Sequence, residues 1–134
     1  MARGKRPVRE LATAYLKHYR TKSEKDSWAF DEVFDRVTAA RATAADAWSL
    51  VLTLIELADE DSLGYVGAGP LEDAVRHFGV ELIDQLEVQA RLDPKFRAAL
   101  GVIWLSYGDL PPNILSRVVA ASDGRIQPLG SRGA

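Results

Sequence analysis

A chain of 134 residues, 47% hydrophobic and 27% charged, has the length and composition of one globular domain. Without cysteine it forms no disulfide, thiolate metal site or cysteine nucleophile, and its longest apolar stretch, Ala47 to Ala58, falls well short of the roughly 20 residues of a membrane span. The net charge of −2 hides a division: eight basic against two acidic side chains give residues 1–25 a charge of +6, residues 26–134 carry −8, and Ala44 to Asp93 alone carry −9.

In chain order, a basic arm over residues 1–6 precedes Pro7, which suits the first turn of a helix running to Thr21 with Val8, Leu11, Ala12, Tyr15 and Tyr19 on one side. This start is amphipathic and charged throughout, unlike a secretory signal, so a cytoplasmic protein is expected. Ser23 suits the cap of a second helix that buries Phe30, Val33, Phe34 and Val37, with Trp28 near its start. Thr43 and Asp46 have capping-box spacing and open the most apolar helix, which runs to about Ala58. Its polar stripe is narrow (Ser49, Thr53, Glu56 and Glu60), so it needs neighbours on several sides and is expected at the centre of the core.

The Asp59-Glu60-Asp61 run then reads as a solvated helix end, and Leu63 to Ala68 as a short helix. Gly69-Pro70 marks a new start with Pro70 in the first turn, and Gly79 stands where a left-handed terminator would end that helix. Val80 to Arg91 forms the next helix. Asp93-Pro94 opens another that runs to about Leu105 and buries Phe96, Leu100, Ile103 and Trp104 as one stripe. Tyr107 to Leu110 is a turn, Pro111-Pro112 introduces a last helix to about Ala121, and residues 122–134 read as a flexible tail. Strand signals are nearly absent, so the expected architecture over residues 7–121 is all-α: a compact bundle or short superhelix of about six to seven antiparallel helices.

No catalytic signature emerges. Asp73 and His77 lie four apart, as metal ligands on one helix face can, but no further ligand has a matching spacing, and no metal or cofactor is expected. Glu72 and Asp73 could act as paired carboxylates, yet an acid near the start of a helix from Pro70 would be explained by the helix dipole. Gly64, Gly67 and Gly69 lack the lysine and the preceding strand of a phosphate loop, and no serine has a nucleophile-elbow context.

Two binding chemistries remain. Glu56, Asp59, Glu60, Asp61, Glu72 and Asp73 would offer an acidic face to a basic protein partner, with Trp104 and Tyr107 as aromatic anchors. Alternatively, Arg3, Lys5, Arg6 and Arg9 would form an arm for nucleic acid, although no recognition helix accompanies them. The runs Ala68-Gly69-Pro70-Leu71-Glu72-Asp73, His77-Phe78-Gly79 and Asp93-Pro94-Lys95-Phe96-Arg97, with Leu100-Gly101 and Trp104, resemble an uncharacterised bacterial family of small helical proteins, catalogued as a domain of unknown function. The likeness covers roughly Ala47 to Trp104 and is weaker in the first helix. It implies a helical fold and assigns no catalytic residue. Small acidic helical proteins of this kind also resemble, in general style, immunity proteins that block bacterial toxins. A non-enzymatic protein-interaction module, immunity-like or regulatory, is therefore the expected function.

Overall fold

The structure, a computed structural model, describes residues 6–130. Arg3 and Lys5 of the basic arm and the last four residues of the expected tail lie outside the described residues.

Among the described residues the fold is an all-α compact bundle of seven α-helices: α1 (Val8–Thr21), α2 (Ser27–Thr38), α3 (Ala44–Leu57), α4 (Glu60–Val66), α5 (Glu72–Leu92), α6 (Pro94–Leu100) and α7 (Pro112–Ala121). A 3-10 turn, Glu24–Asp26, precedes α2; the Ser23 hydroxyl caps this turn, accepting from the Lys25 N–H, rather than capping α2 itself. Thr43 caps α3 as its spacing predicts, its hydroxyl accepting from the Asp46 N–H at 3.1 Å.

α3 is the central helix, packed against α1, α2, α4, α5 and α6, and it buries Ala47, Leu50, Val51, Leu54 and Ile55. Each large aliphatic side chain so buried contributes about 1.5–3 kcal/mol of transfer free energy. Around it, α1 supplies Leu11, Tyr15 and Leu16, α5 supplies Val75, Ile83 and Leu86, and α6 supplies Phe96 and Leu100. On α2 the core takes Ala29, Val33 and Val37, while Phe30 and Phe34 are 45% and 50% exposed. The expected apolar set of α2 is thus corrected: one stripe of the helix meets its neighbours, and the two phenylalanines lie to its side.

Three further expectations fail between Asp59 and Leu92. Asp59 does not end a helix but begins one: its carboxylate accepts from the Ser62 N–H at 2.8 Å, and the Ser62 hydroxyl accepts from the Asp59 N–H at 3.0 Å, a reciprocal capping box. Gly69-Pro70 starts no helix, because α4 continues into α5 through a π turn, Gly67–Leu71, that contains Pro70. Proline has no N–H to donate and its ring crowds the carbonyl four residues back, and the wider π turn absorbs that defect without breaking the helix. Gly79 does not terminate α5, which runs through it to Leu92. A Cβ at Gly79 would stand 3.0 Å from Leu110 Cδ2, so this glycine serves close packing.

α6 ends at Leu100 rather than near Leu105, and the following loop carries Trp104 outward, 68% exposed, instead of into the core. The described residues after α7 pack onto the rest of the fold. Ser122 and Ile126 are buried, Arg125 lies against Gly101, and Leu129 forms a single parallel bridge with Ser106. In that bridge the Leu129 N–H donates to the Leu105 carbonyl and the Tyr107 N–H donates to the Leu129 carbonyl, both at 2.9 Å. The composition of the segment is loop-like, but one buried isoleucine and these two backbone bonds strap it onto the Trp104 loop.

Candidate functional site: the Trp104 platform

The feature that stands out from the packed core is an exposed indole on a fixed backbone. Glu72 and Arg76 lie one turn apart on α5, and their side chains reach the loop after α6 together. Glu72 Oε1 accepts from the Trp104 N–H at 2.7 Å, and Arg76 Nη2 donates to the Trp104 carbonyl at 2.9 Å. Glu72 Oε2 and Arg76 Nη1 close the ring with an ion pair of 2.9 Å. Arg76 Nε also donates to Asp109 Oδ2 at 3.3 Å, and the same carboxylate oxygen accepts from the Ser106 N–H at 2.7 Å. Trp104 is therefore held by both of its backbone polar groups while its side chain remains in solvent. Neighbouring Val102 and the strap residue Leu129 are also exposed apolar side chains.

Glu72, whose side chain is only 14% exposed, is committed to Trp104 and Arg76. It sits inside a continuous helical rod, so the dipole explanation that applies to a helix start does not hold for it. His77 Nδ1 donates to the Asp73 carbonyl at 2.9 Å, and among the described residues no group of three His, Cys, Asp or Glu side chains is placed to hold a metal ion.

Several of the acidic residues singled out in the sequence have partners within the fold. Glu56 pairs with Arg9 at 3.5 Å, and Lys95 donates to the Glu56 carbonyl at 3.0 Å. Asp59 is occupied as a cap, and its bonds from Ser62 hold its carboxyl below the usual range. Glu60 and Asp61 are exposed beside it, and Tyr19 donates to the Asp61 carbonyl at 3.2 Å. What the fold does bring together is Glu72 and Trp104, with Asp73 next along α5; Tyr107 is half-buried behind the loop and packs on the core. Of the basic arm, Arg6 lies 4.2 Å from the centre of the Trp28 ring and pairs with Glu32 at 3.4 Å and Glu10 at 3.9 Å. Arg6 and Arg9 are thus both engaged within the fold.

Sequence reasoning missed Arg76 and Asp109, which fix the platform. An i, i+4 Glu72–Arg76 pair was visible as a helical ion pair, but nothing local showed that it would reach a loop some thirty residues on. A cleft of about 410 Å³ between the ends of α5, α6 and α7 is lined by Glu87, Arg91, Arg97 and Asp123 around small alanines. Its charges largely answer one another: Arg97 donates to the Ala90 carbonyl and faces Asp123, while Glu87 is gripped by Arg117.

The chain belongs to a family of unknown function, DUF6869, whose model matches residues 17–126. The match is wider than the stretch that carries the likeness in the sequence, and it includes the whole Glu72–Arg76–Trp104–Asp109 network. No curated protein and no solved structure matches the chain. Among the described residues no helix is long and apolar enough to cross a membrane.

Proposed function

We propose that this chain is a non-enzymatic protein-interaction module that uses Trp104 as its anchor. The observation that carries this reading is the pairing of a largely exposed indole with a backbone fixed by Glu72 and Arg76. A large aromatic side chain contributes most to an interface when little conformational freedom is lost on binding, and a pre-fixed backbone removes much of that loss. The excess of acid over Ala44 to Asp93 favours a basic protein as the partner, through faster and more selective encounter. An immunity-like or regulatory role in the cytoplasm, in which the module occupies and blocks a basic surface, is the form this reading takes.

The test compares tagged wild type with Trp104→Ala as bait in nuclease-treated extract of its own cells, at low and moderate salt. A protein retained by wild type, lost with Trp104→Ala and weakened by salt is the expected result. Retention that is indifferent to position 104 would remove Trp104 as the anchor.

A further inference from the structure

The outer side of α2 carries two pairs of residues that the fold itself does not use. Phe30 and Phe34 stand one turn apart, both about half exposed, beside the buried stripe of Ala29, Val33 and Val37. Phe30 lies nearly parallel to the buried Tyr15 ring, centroids 6.3 Å apart and planes 12° from parallel, which holds the exposed part of its ring in place. Next around the helix come Asp31 and Asp35, also one turn apart and exposed. Among the described residues neither carboxylate has a hydrogen bond or an ion pair. The neighbouring cations are taken by other acids: Arg36 and Arg6 pair with Glu32 at 2.6 and 3.4 Å, and Lys17 with Asp26 at 3.9 Å.

Both pairs work against α2 as an isolated helix. Like charges at this spacing repel, Asp35 stands in the last turn, where the helix dipole disfavours an acid, and the two rings keep apolar surface in water. Features that local physics disfavours and the fold leaves uncompensated mark where function is to be sought.

Charge decides what covers this face. A second copy meeting it about a two-fold axis would set Asp31 and Asp35 of each copy against those of the other, and like-charge juxtaposition opposes that contact. Nucleic acid and an anionic lipid surface are repelled for the same reason. Two rings at this spacing form a ridge of the kind that seats in the groove of another helix. We infer that Phe30, Phe34, Asp31 and Asp35 form a docking face for an amphipathic helix of a partner protein. The apolar side of that helix lies along the two rings, and lysine or arginine side chains on its flank meet the two carboxylates. The face is on a different element from Trp104 and takes from the proposed function only that the chain binds protein.

The test titrates the isotope-labelled full chain with a synthetic peptide of about 18 residues, enough for five helical turns, with leucine on one face and lysine on the other. Amide NMR shifts follow the binding, and the controls are a peptide with glutamate in place of lysine and one of the same composition in shuffled order. Saturable shifts concentrated on residues 27–38 are expected with the ordered lysine peptide alone. Phe34→Ala should weaken binding by about tenfold, and Asp31→Asn combined with Asp35→Asn by about fivefold. The melting temperature of that double variant should stay at or above the wild-type value, because the lost charges repel each other. Shifts located elsewhere, equal binding of the glutamate peptide, full affinity in either variant, or binding lost with Trp104→Ala would overturn the docking face. Shifts across α2 that grow with protein concentration in the absence of peptide would mean that a second copy covers the face, and would overturn it as well. Trp104→Ala should bind the peptide as wild type does, so failure of the Trp104 anchor leaves this face standing, and failure of the peptide test leaves the anchor standing.

Discussion

Glu72 accepts a hydrogen bond from the Trp104 backbone N–H at 2.7 Å across 32 positions of sequence, and this bond joins α5 to the exposed loop. Its strength depends on Glu72 also being paired with Arg76. Glu72→Gln keeps an acceptor for the N–H but leaves Arg76 without its closest charge, and should cost about 1 kcal/mol; Glu72→Ala removes both and should cost about 2 kcal/mol. Urea denaturation measures both. An unchanged midpoint in Glu72→Ala would mean that the loop is not held through this residue.

Gly67 and Gly64 lie one turn apart and should respond oppositely to alanine. A Cβ at Gly67 would press into the Ala99 carbonyl oxygen and sit 2.6 Å from Val102 Cγ2, and backbone cannot swing away as a side-chain tip can. Gly67→Ala should therefore destabilise the fold by about 1–3 kcal/mol. At Gly64, inside α4, nothing lies within 4 Å of the added carbon, and Gly64→Ala should stabilise by about 0.5–1 kcal/mol. Thermal melting of the two variants against wild type decides both.

Ile126 tests whether the segment after α7 belongs to the fold. It is 2% exposed, and its N–H donates to the buried Ser122 hydroxyl at 3.1 Å. Ile126→Ala should cost about 2–4 kcal/mol, the range for truncating a buried aliphatic side chain, as read by urea denaturation. A loss near zero would return the segment to the status of a loose tail.

Asp73 and Asp59 should give opposite pH dependence. The Asp73 pKa is raised on folding, so its ionised form weakens the fold at neutral pH, and this penalty is relieved as pH falls through the folded and then the unfolded value. Asp73→Asn should therefore be more stable than wild type near neutrality, with the gain shrinking on acidification. The Asp59 pKa is lowered by its bonds from Ser62, so its contribution is present above the unfolded value and lost as pH falls through the folded one. Asp59→Asn should be less stable at neutral pH and converge on wild type in acid. Parallel curves for the two variants would contradict these assignments.

The helix class, the central position of α3 and the caps at Thr43 and Asp93 could be read locally, because apolar spacing and short side-chain-to-backbone bonds are local properties. Pro70 and Gly79 misled for a common reason. Each has a strong local meaning, but tertiary packing chose otherwise: the chain took a π turn around the proline, and Leu110 needed the space that Gly79 leaves. Trp104 has the helical spacing of a buried residue, and what turns it outward is the end of α6 at Leu100 together with the bonds from Glu72 and Arg76. The acidic residues were legible as charges, but not their partners: Arg9 and Lys95 for Glu56, Ser62 for Asp59, Arg76 for Glu72.

The most direct measurement is a photo-crosslink from position 104 in the living cell. A photoreactive benzoylphenylalanine replaces Trp104 in one strain and the exposed Ser116 on α7 in another, and adducts are identified after irradiation. The platform account predicts one dominant protein adduct at 104 and none of that identity at 116. Equal labelling at both positions, or no protein adduct at 104, would contradict it.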